Sequence, residues 1–337
     1  MRAAAEGIRA PQHNEEEIEH DAGEFRHEWQ YLASSVHESH FLEHAVWPNA
    51  SRTQRAMLRS QSGPHAGEFL KVTPRSPATT FSSLRMQVAL RRRLRWPLPL
   101  MPRRCDGRSC RRIQDSMGDH RTSCMRTGRV RRRALPLEQI WAQIFKEAGG
   151  HVDRNVMLKD TTLPSISADD GRQLEILVTG LPLERGVPTG VDVTMTSPIH
   201  ADGTPWNRAD VANGVAIARG EKNKRDTYPE LVNSAHCSLL TLACETGGRW
   251  SSKCVEIVRK LSAAKAETAP PRLQASARAA WSRRWWAMLS VTQQEALAAS
   301  LVDDKMMANG GSAEYVPDLL DVLEMEDCAP PSRLPAR

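Results

Sequence analysis

Apolar residues recur at helical spacing in the segment 136–150, PLEQIWAQIFKEAGG. They fall at i, i+3, i+4, i+7 and i+8, on Leu137, Ile140, Trp141, Ile144 and Phe145. This period predicts an amphipathic helix with one buried face, with Pro136 in its first turn and Gly149 and Gly150 at its end. Glu138, in that first turn, is either a solvated acid or a site carboxylate, and we interpret it as solvated.

Two short segments rich in β-branched residues follow, RQLEILVTG at 172–180 and GVDVTMTS at 190–197. They predict strands, because Val, Ile and Thr favour the extended backbone and the intervening LPLERGVPT is rich in turn formers. HCSLLTLACE at 236–245 predicts a further strand, and helices are predicted in 211–228 and 250–266. Strands interleaved with helices in this way predict an α/β domain.

The first two predicted strands each carry an acid among apolar residues, Glu175 and Asp192. Burying a charge costs free energy unless the charge is paired or binds a metal. Two such carboxylates can hold Mg²⁺, which orients a water, lowers its pKa and stabilises the charge that grows on a phosphodiester. Lys224, in the helical segment that follows, can assist deprotonation of that water or stabilise the phosphorus centre. Acids and lysines in this order are also common in proteins that have no such site.

The stretch CDGRSCRRIQDSMGDHRTSC at 105–124 contains three cysteines and one histidine. Three thiolates and one imidazole form the donor set of a closed tetrahedral zinc site, here Cys105, Cys110, His120 and Cys124. A loop this short has almost no core, so we expect metal binding to supply its folding free energy. A loop with three unrelated thiols is the alternative, because the first pair of cysteines is spaced more widely than in most zinc knuckles.

The chain is basic, with a formal charge of +6 and a pI of about 9.1, which suggests an anionic partner. Fifteen arginines but only three aspartates lie between residues 91 and 133. Because guanidinium groups favour bidentate phosphate contacts, we predict that the basic run after the knuckle binds nucleic acid, through Arg129, Arg131, Arg132 and Arg133. A solvated face, a disordered arm or a nuclear-import signal would have the same composition.

No apolar run of signal-peptide or transmembrane length occurs, so we predict an intracellular protein without a membrane span. The seven cysteines, an odd number, are then expected to be thiols or metal ligands rather than disulfides. The first seventy residues show little apolar periodicity and are predicted to be loosely packed or disordered. The proline-rich C-terminal tail is also predicted to be disordered.

Several other residues fit structural roles better than functional ones. Three tryptophans share one face of a predicted helix, and packing is favoured over stacking on unpaired bases for Trp281, Trp285 and Trp286. The isolated histidines, His200 and His236, are predicted to be structural or surface groups. Three later cysteines are predicted to be buried thiols: Cys237, Cys244 and Cys254.

Five segments of the chain together resemble the C-terminal part of reverse-transcriptase-like polyproteins of non-LTR retrotransposons. They are CRRIQDSMGDHRTSC, LEQIWAQIFKEAGGHV, DGRQLEILVTGLPL, VDVTMTSPIHADGT and EKNKRDTYPEL, and flanking segments extend the resemblance to residues 25–305. In the site-specific class of these elements, a CCHC zinc knuckle precedes a restriction-enzyme-like endonuclease of the PD-(D/E)xK type. The resemblance implies a zinc knuckle, a restriction-endonuclease-like α/β domain with a mixed sheet, and a DNA partner.

Position by position, the resemblance places the knuckle ligands on Cys105, Cys110, His120 and Cys124. It implies that Glu175 and Asp192 are the Mg²⁺ ligands, and that Lys224 and Tyr228 complete the catalytic set.

Three positions depart from the family's pattern. Glu175 replaces an aspartate, Leu174 precedes it in place of a proline, and Glu221 supplies only ambiguously the helical glutamate expected near the lysine. These departures leave a catalytically decayed copy as an alternative.

We predict six segments: a disordered N-terminus at 1–24, a helical linker region at 25–102, the zinc knuckle at 103–126, an endonuclease-like domain at 127–245, a helical region at 246–310 and a disordered tail at 311–337. The expected function is Mg²⁺-dependent nicking of DNA in the nucleus, with structural zinc in the knuckle. The alternatives are a decayed DNA- or RNA-binding module and a transposon relic without function. The aspartate pairs at 169–170 and 303–304 lie in loop or cap contexts, so no polymerase site is predicted.

Overall fold

The computed structural model describes residues 32–302, except for 99–103, 108, 162, 164–165, 184–185 and 233. The predicted disordered ends at 1–24 and 311–337 lie outside the described residues, as does the aspartate pair at 303–304. No helix in the described part of the chain combines the length and apolar character needed to cross a membrane.

The helices are α1 (Arg52–Ser60), α2 (Ser83–Arg93), α3 (Asp119–Ser123), α4 (Arg129–Arg132), α5 (Ala134–Ala148), α6 (Val215–Thr227), α7 (Pro229–Val232), α8 (Ser252–Ala266) and α9 (Gln274–Leu301). Residues 32–41 are also helical and continue into a π-helical turn at Leu42–Val46.

Four strands form one mixed sheet: β1 (His151–Met157), β2 (Gln173–Thr179), β3 (Thr189–Thr196) and β4 (Ser238–Glu245). The strands lie in the order β1-β2-β3-β4, with antiparallel pairing of β1 with β2 and of β2 with β3, and parallel pairing of β3 with β4. The α/β class, the mixed sheet and the three predicted strands are confirmed. The edge strand β1 was not predicted, because most of its residues are polar and exposed and give no apolar alternation.

The apolar stripe of α5 forms the centre of the core, as its spacing predicts. Trp141, Ile144 and Phe145 are fully buried and belong to the same cluster as Ile176 and Val191 of the sheet. The helix begins at Ala134, two residues before the proline in its first turn, and ends at a glycine with a φ of 103°.

The long helix α9 covers this core from the side of α5 and α8. Trp285 and Trp286 are buried, and the Trp285 indole N–H donates to Glu147 Oε2 of α5 at 2.8 Å. The preference for packing over base stacking is therefore confirmed for these two side chains. The three later cysteines are buried thiols, as predicted.

Residues 52–70 are packed against the rest of the chain, so the expectation of a loosely packed or disordered segment is wrong there. Ala56 and Met57 of α1 are buried with Ile199, and Phe69 is buried against α9 with its N–H donating to Ser290 Oγ at 2.7 Å. The segment has few large apolar residues of its own, and it buries them partly against distant residues such as Ile199 and Val291.

A buried ion pair ties the knuckle helix α3 to α2. Asp119 is buried, and its carboxylate accepts from Arg92 Nη1 at 2.7 Å and Arg95 Nη2 at 2.8 Å. Burial raises the pKa of this carboxyl, but the two guanidinium groups outweigh that effect and hold the pKa below its usual range.

Replacing Asp119→Ala is expected to lower the free energy of unfolding by about 3–5 kcal/mol, because the buried Arg92 guanidinium would lose its counter-charge. Urea unfolding of the zinc-loaded protein would measure the loss. Asp153→Ala is the control, since Asp153 forms only an exposed pair with His151 and should cost less than about 1 kcal/mol. Equal losses in the two variants would contradict a stabilising role for the buried pair.

Candidate active site and metal centre

The strands β2 and β3 separate where the two predicted acids face each other. Their pairing runs from Val178–Thr189 to Ile176–Val191 and would continue to Glu175 and Asp192. Instead, the Glu175 carboxylate Oε2 accepts from the Val193 N–H at 2.6 Å. The Glu175 carboxylate thus takes the place of a backbone acceptor for the Val193 N–H. Both Glu175 and Asp192 lie where the pairing of β2 with β3 ends.

Asp192 is the most enclosed acid of this group, with a side chain only 1% exposed. Lys224 of α6 places its Nζ 2.6 Å from Asp192 Oδ1. The Asp192 carboxylate has two polar neighbours, the Lys224 ammonium and the Tyr228 hydroxyl, and both act to lower its pKa. Burial raises the pKa of Asp192, and the Lys224 charge opposes that rise only in part. A buried carboxylate beside a second one, Glu175, offers hard oxygen donors of the kind that divalent cations bind.

Glu175 shares this environment, and its pKa is raised to about 8. Burial is the main cause, and the nearby charges of Asp192 and Glu138 add to it. The Val193 N–H and the Lys224 charge act in the opposite direction. The acids therefore repel one another enough to favour a proton or a cation among them.

Glu138 belongs to this acid cluster, so its interpretation as a solvated first-turn acid is wrong. The side chain is buried, and its pKa is raised by burial and by the Asp192 charge, while Arg154 of β1 and Arg131 of α4 lower it. The sequence placed Glu138 beside the apolar stripe, but its charged neighbours Asp192 and Arg154 come from strands that the chain reaches only later.

Tyr228 immediately follows α6 and is buried below the acids. Its hydroxyl donates to the Gln173 carbonyl at 2.8 Å, and burial together with the charges of Asp192 and Glu175 raises its pKa. Because the Tyr228 hydroxyl keeps its proton, it can donate this hydrogen bond, which fixes the end of α6 against β2. The Glu221 charge raises the pKa of the buried Cys254, whereas the Glu138 charge raises that of Glu175.

The raised pKa of Glu175 makes stability depend on pH. In the folded protein the carboxyl keeps its proton up to about pH 8, whereas the unfolded chain loses it near pH 4.3, so stability falls as pH rises between these values, by at most about 1.4 kcal/mol per pH unit. We expect Glu175→Gln to reduce this slope in protein without Mg²⁺ and to be more stable than the wild type at pH 8. Unfolding in urea between pH 5 and 9 measures the slope, and a variant with the wild-type slope would contradict the assignment.

The four predicted knuckle ligands converge in a second cluster. One ligand atom from each of Cys105, Cys110, His120 and Cys124 lies within 4.8 Å of the others. Cys105 Sγ lies 3.9 Å from Cys124 Sγ, and Cys110 Sγ lies 3.5 Å from His120 Nε2. Tetrahedral zinc, with Zn–S of about 2.3 Å and Zn–N of about 2.0–2.1 Å, requires separations of about 3.8 Å and 3.5 Å. The cluster could therefore bind a metal such as zinc.

Hydrogen bonds from outside the ligand set orient the cluster. His120 Nδ1 lies 2.7 Å from the Ala201 carbonyl, so an Nδ1–H donor leaves Nε2 free to face the thiols. The Gly107 N–H points at Cys105 Sγ at 3.4 Å, and the Asp115 carboxylate accepts from the first N–H groups of α3. The Ala201 carbonyl thus supports the cluster from outside the Cys–His segment, which the sequence did not indicate.

The four arginines predicted to bind nucleic acid have different surroundings. Arg133 is buried and donates to the carbonyls of Thr122 and Met195 at 2.9 and 3.1 Å, so the prediction that it contacts phosphate is inconsistent with this structure. Its guanidinium instead satisfies backbone acceptors between α3 and β3. Arg129 is largely covered and pairs with Asp106 at 2.7 Å. Arg131 and Arg132 are exposed, and Arg131 lies close enough to Glu138 to lower its pKa.

Comparisons with protein-family models and with curated proteins gave no match for this chain. The choice of a function therefore depends on the acid cluster and the Cys–His cluster.

Proposed function

We propose that this protein is a Mg²⁺-dependent DNA endonuclease of the restriction-enzyme-like type, carrying a zinc knuckle that helps to hold the DNA. The observation that carries the proposal is the convergence of Glu175, Asp192 and Lys224, together with Glu138, where β2 and β3 diverge. The order of knuckle, helix, acid-bearing strands and lysine also supports the resemblance to non-LTR retrotransposon polyproteins, and a chromosomal substrate would place the protein in the nucleus.

Asp192 and Glu175 would hold Mg²⁺, because their oxygens are hard donors and the buried Asp192 carboxylate lies beside that of Glu175. When bound, the metal supplies a Lewis acid that activates water and stabilises charge on the phosphodiester. Lys224 places an ammonium beside Asp192, where it can orient the attacking water or stabilise the negative charge of the phosphorus centre. Tyr228 holds the end of α6, and so positions Lys224, through its bond to β2.

The basic residues around the acids would hold the scissile strand. Arg131 and Arg154 are exposed and near enough to Glu138 to act on its pKa. Their charges offset the repulsion between a cluster of acids and the phosphate backbone. The Cys–His cluster, bound to zinc, would fix the loops that carry further exposed arginines, Arg111, Arg112 and Arg126.

One observation favours a second candidate, a binding module that has lost catalysis. Lys224 lies at ion-pair distance from Asp192, and Glu175 is bonded to Val193, so both acids have partners without a metal. If these contacts persist in solution with Mg²⁺, the site is structural and only the DNA-binding surface functions.

Nicking of supercoiled plasmid by zinc-loaded protein tests the proposal. We expect nicked circles with Mg²⁺ or Mn²⁺, none without divalent metal, and none from Asp192→Asn. Glu256→Gln is the matched control, because Glu256 forms an ion pair of the same 2.6 Å length with Lys260 on the exposed face of α8. Nicking that survives in Asp192→Asn would place the activity elsewhere, and binding without nicking by the wild type would support the binding module.

A further inference from the structure

The helix α1 has a basic face beside a notch in the surface, far from the acid cluster in sequence. Arg52, Arg55 and Arg59 are spaced at i, i+3 and i+7 and so lie on one side of the helix. The notch has a volume of about 290 Å³ and is lined by Trp47, Pro48, Arg55, Arg59, Asp210 and Val211.

Two of these arginines attach α1 to the loop before α6. Arg52 Nε lies 2.8 Å from Asp210 Oδ2, and Arg59 Nε donates to the Asp210 carbonyl at 3.0 Å. The Arg59 guanidinium also lies 5.0 Å from the centre of the Trp47 ring, at cation–π distance. Arg52 and Arg59 therefore serve to attach α1 to the loop before α6.

Arg55 has no such docking role. Its Nε donates to the Ala50 carbonyl at 3.0 Å within its own segment. Among the residues the structure describes, no hydrogen bond from its two Nη groups is found. Arg55 lines the notch together with the apolar Trp47, Pro48 and Val211, and it is close enough to the notch-lining Asp210 for its charge to lower the pKa of that acid. The planar guanidinium can donate two parallel hydrogen bonds to two oxygens of a phosphate, and it is more weakly hydrated than an ammonium.

Neighbouring segments link the notch to the Cys–His cluster on one side and to the acid cluster on the other. Thr53 of α1 donates to the Gly203 carbonyl at 2.9 Å, and His120 of the metal centre bonds the Ala201 carbonyl in the same loop. In the other direction, α6 begins just after the notch-lining loop and carries Lys224 nine residues, roughly 14 Å, further along its axis. The exposed face of α6 carries Arg219, Lys222 and Arg225. Lys222 pairs with Asp226 at 2.6 Å, and the Arg219 guanidinium lies 3.5 Å from the centre of the Trp206 ring.

We propose that the α1 notch is a phosphate-binding site for the DNA strand that runs from the acid cluster along α6 toward the zinc knuckle, with Arg55 as its main contact. The proposal deepens the proposed function and depends on it, since it assigns where the substrate DNA is held.

Fluorescence anisotropy with a labelled 30-base-pair duplex, without Mg²⁺, at several salt concentrations tests the site. Loss of one phosphate contact in Arg55→Ala should make the plot of log K against log[salt] shallower by about 1, and Arg55→Glu should weaken binding further. The control is Arg278→Ala, an exposed arginine of α9, which should keep the wild-type slope. Thermal unfolding of each variant shows whether α1 remains docked.

Wild-type affinity and slope in both Arg55 variants would overturn the phosphate site while leaving nuclease activity open. Failure of the wild-type protein to bind the duplex would instead count against the proposed function itself. Trp47→Ala should weaken binding without changing the salt slope, because the indole shapes the notch but carries no charge. A changed slope in that variant would contradict the assignment of the contact to Arg55.

Discussion

Replacing Lys224→Ala is expected to lower the rate of DNA nicking by about 10²–10⁴-fold, the usual effect of a general acid or base. The ammonium lies 2.6 Å from Asp192, so its removal eliminates the positive charge nearest the proposed metal ligand. Single-turnover nicking with protein in excess measures the chemical step separately from DNA binding. Lys224→Arg should restore part of the rate if charge is the requirement.

Lys260→Ala is the matched control for this prediction. Lys260 pairs with Glu256 at the same 2.6 Å distance, but on the exposed surface of α8. We expect wild-type nicking from it. Equal rates for the Lys224 and Lys260 variants would remove Lys224 from the reaction and weaken the case for a nuclease.

Loss of a knuckle ligand is expected to have the largest effect on stability. Cys124 is buried and its Sγ lies 3.9 Å from Cys105 Sγ, so Cys124→Ser removes a donor from the centre of the cluster. Structural zinc in small sites contributes about 10–16 kcal/mol of binding free energy, and much of it is folding free energy. We therefore expect the variant to lose its zinc and to unfold at least locally over 104–127.

Zinc content by atomic emission, together with thermal unfolding, measures both effects. Cys237→Ser is the control, because this thiol is buried but lies outside the Cys–His cluster. It should keep about one zinc per chain. A Cys124→Ser protein that retains full zinc occupancy and wild-type stability would contradict a structural metal at this cluster.

Local patterns were sufficient to predict most elements of the domain. The i, i+3, i+4 stripe on α5 and the β-branched runs of β2 and β3 each specify one buried face, and the structure buries those faces. The four knuckle ligands were predictable for a similar reason, since they lie within twenty residues and belong to one local loop. By contrast, β1 is an exposed edge strand whose pairing with β2, rather than its own composition, makes it a strand.

The surroundings of individual charged residues could not be predicted from local sequence. Glu138 occupies a first-turn position typical of a solvated acid, and only the approach of Asp192 and Arg154 makes it part of the site. Arg133 belongs to a run of arginines typical of a solvated face, yet it is buried against carbonyls of Thr122 and Met195. Both outcomes depend on tertiary contacts between segments tens of residues apart, for which the run of charges gives no signal.

The central claim is that the acids where β2 and β3 diverge form a metal-dependent nuclease centre. The most direct test is to measure DNA binding and single-turnover cleavage on the same preparations of the wild type and Asp192→Asn, with Mg²⁺ present and zinc bound. We predict that both proteins bind the duplex and that only the wild type cleaves it, with a rate difference of at least about 10²-fold. Binding without cleavage by the wild type, or equal cleavage by the two proteins, would contradict the claim.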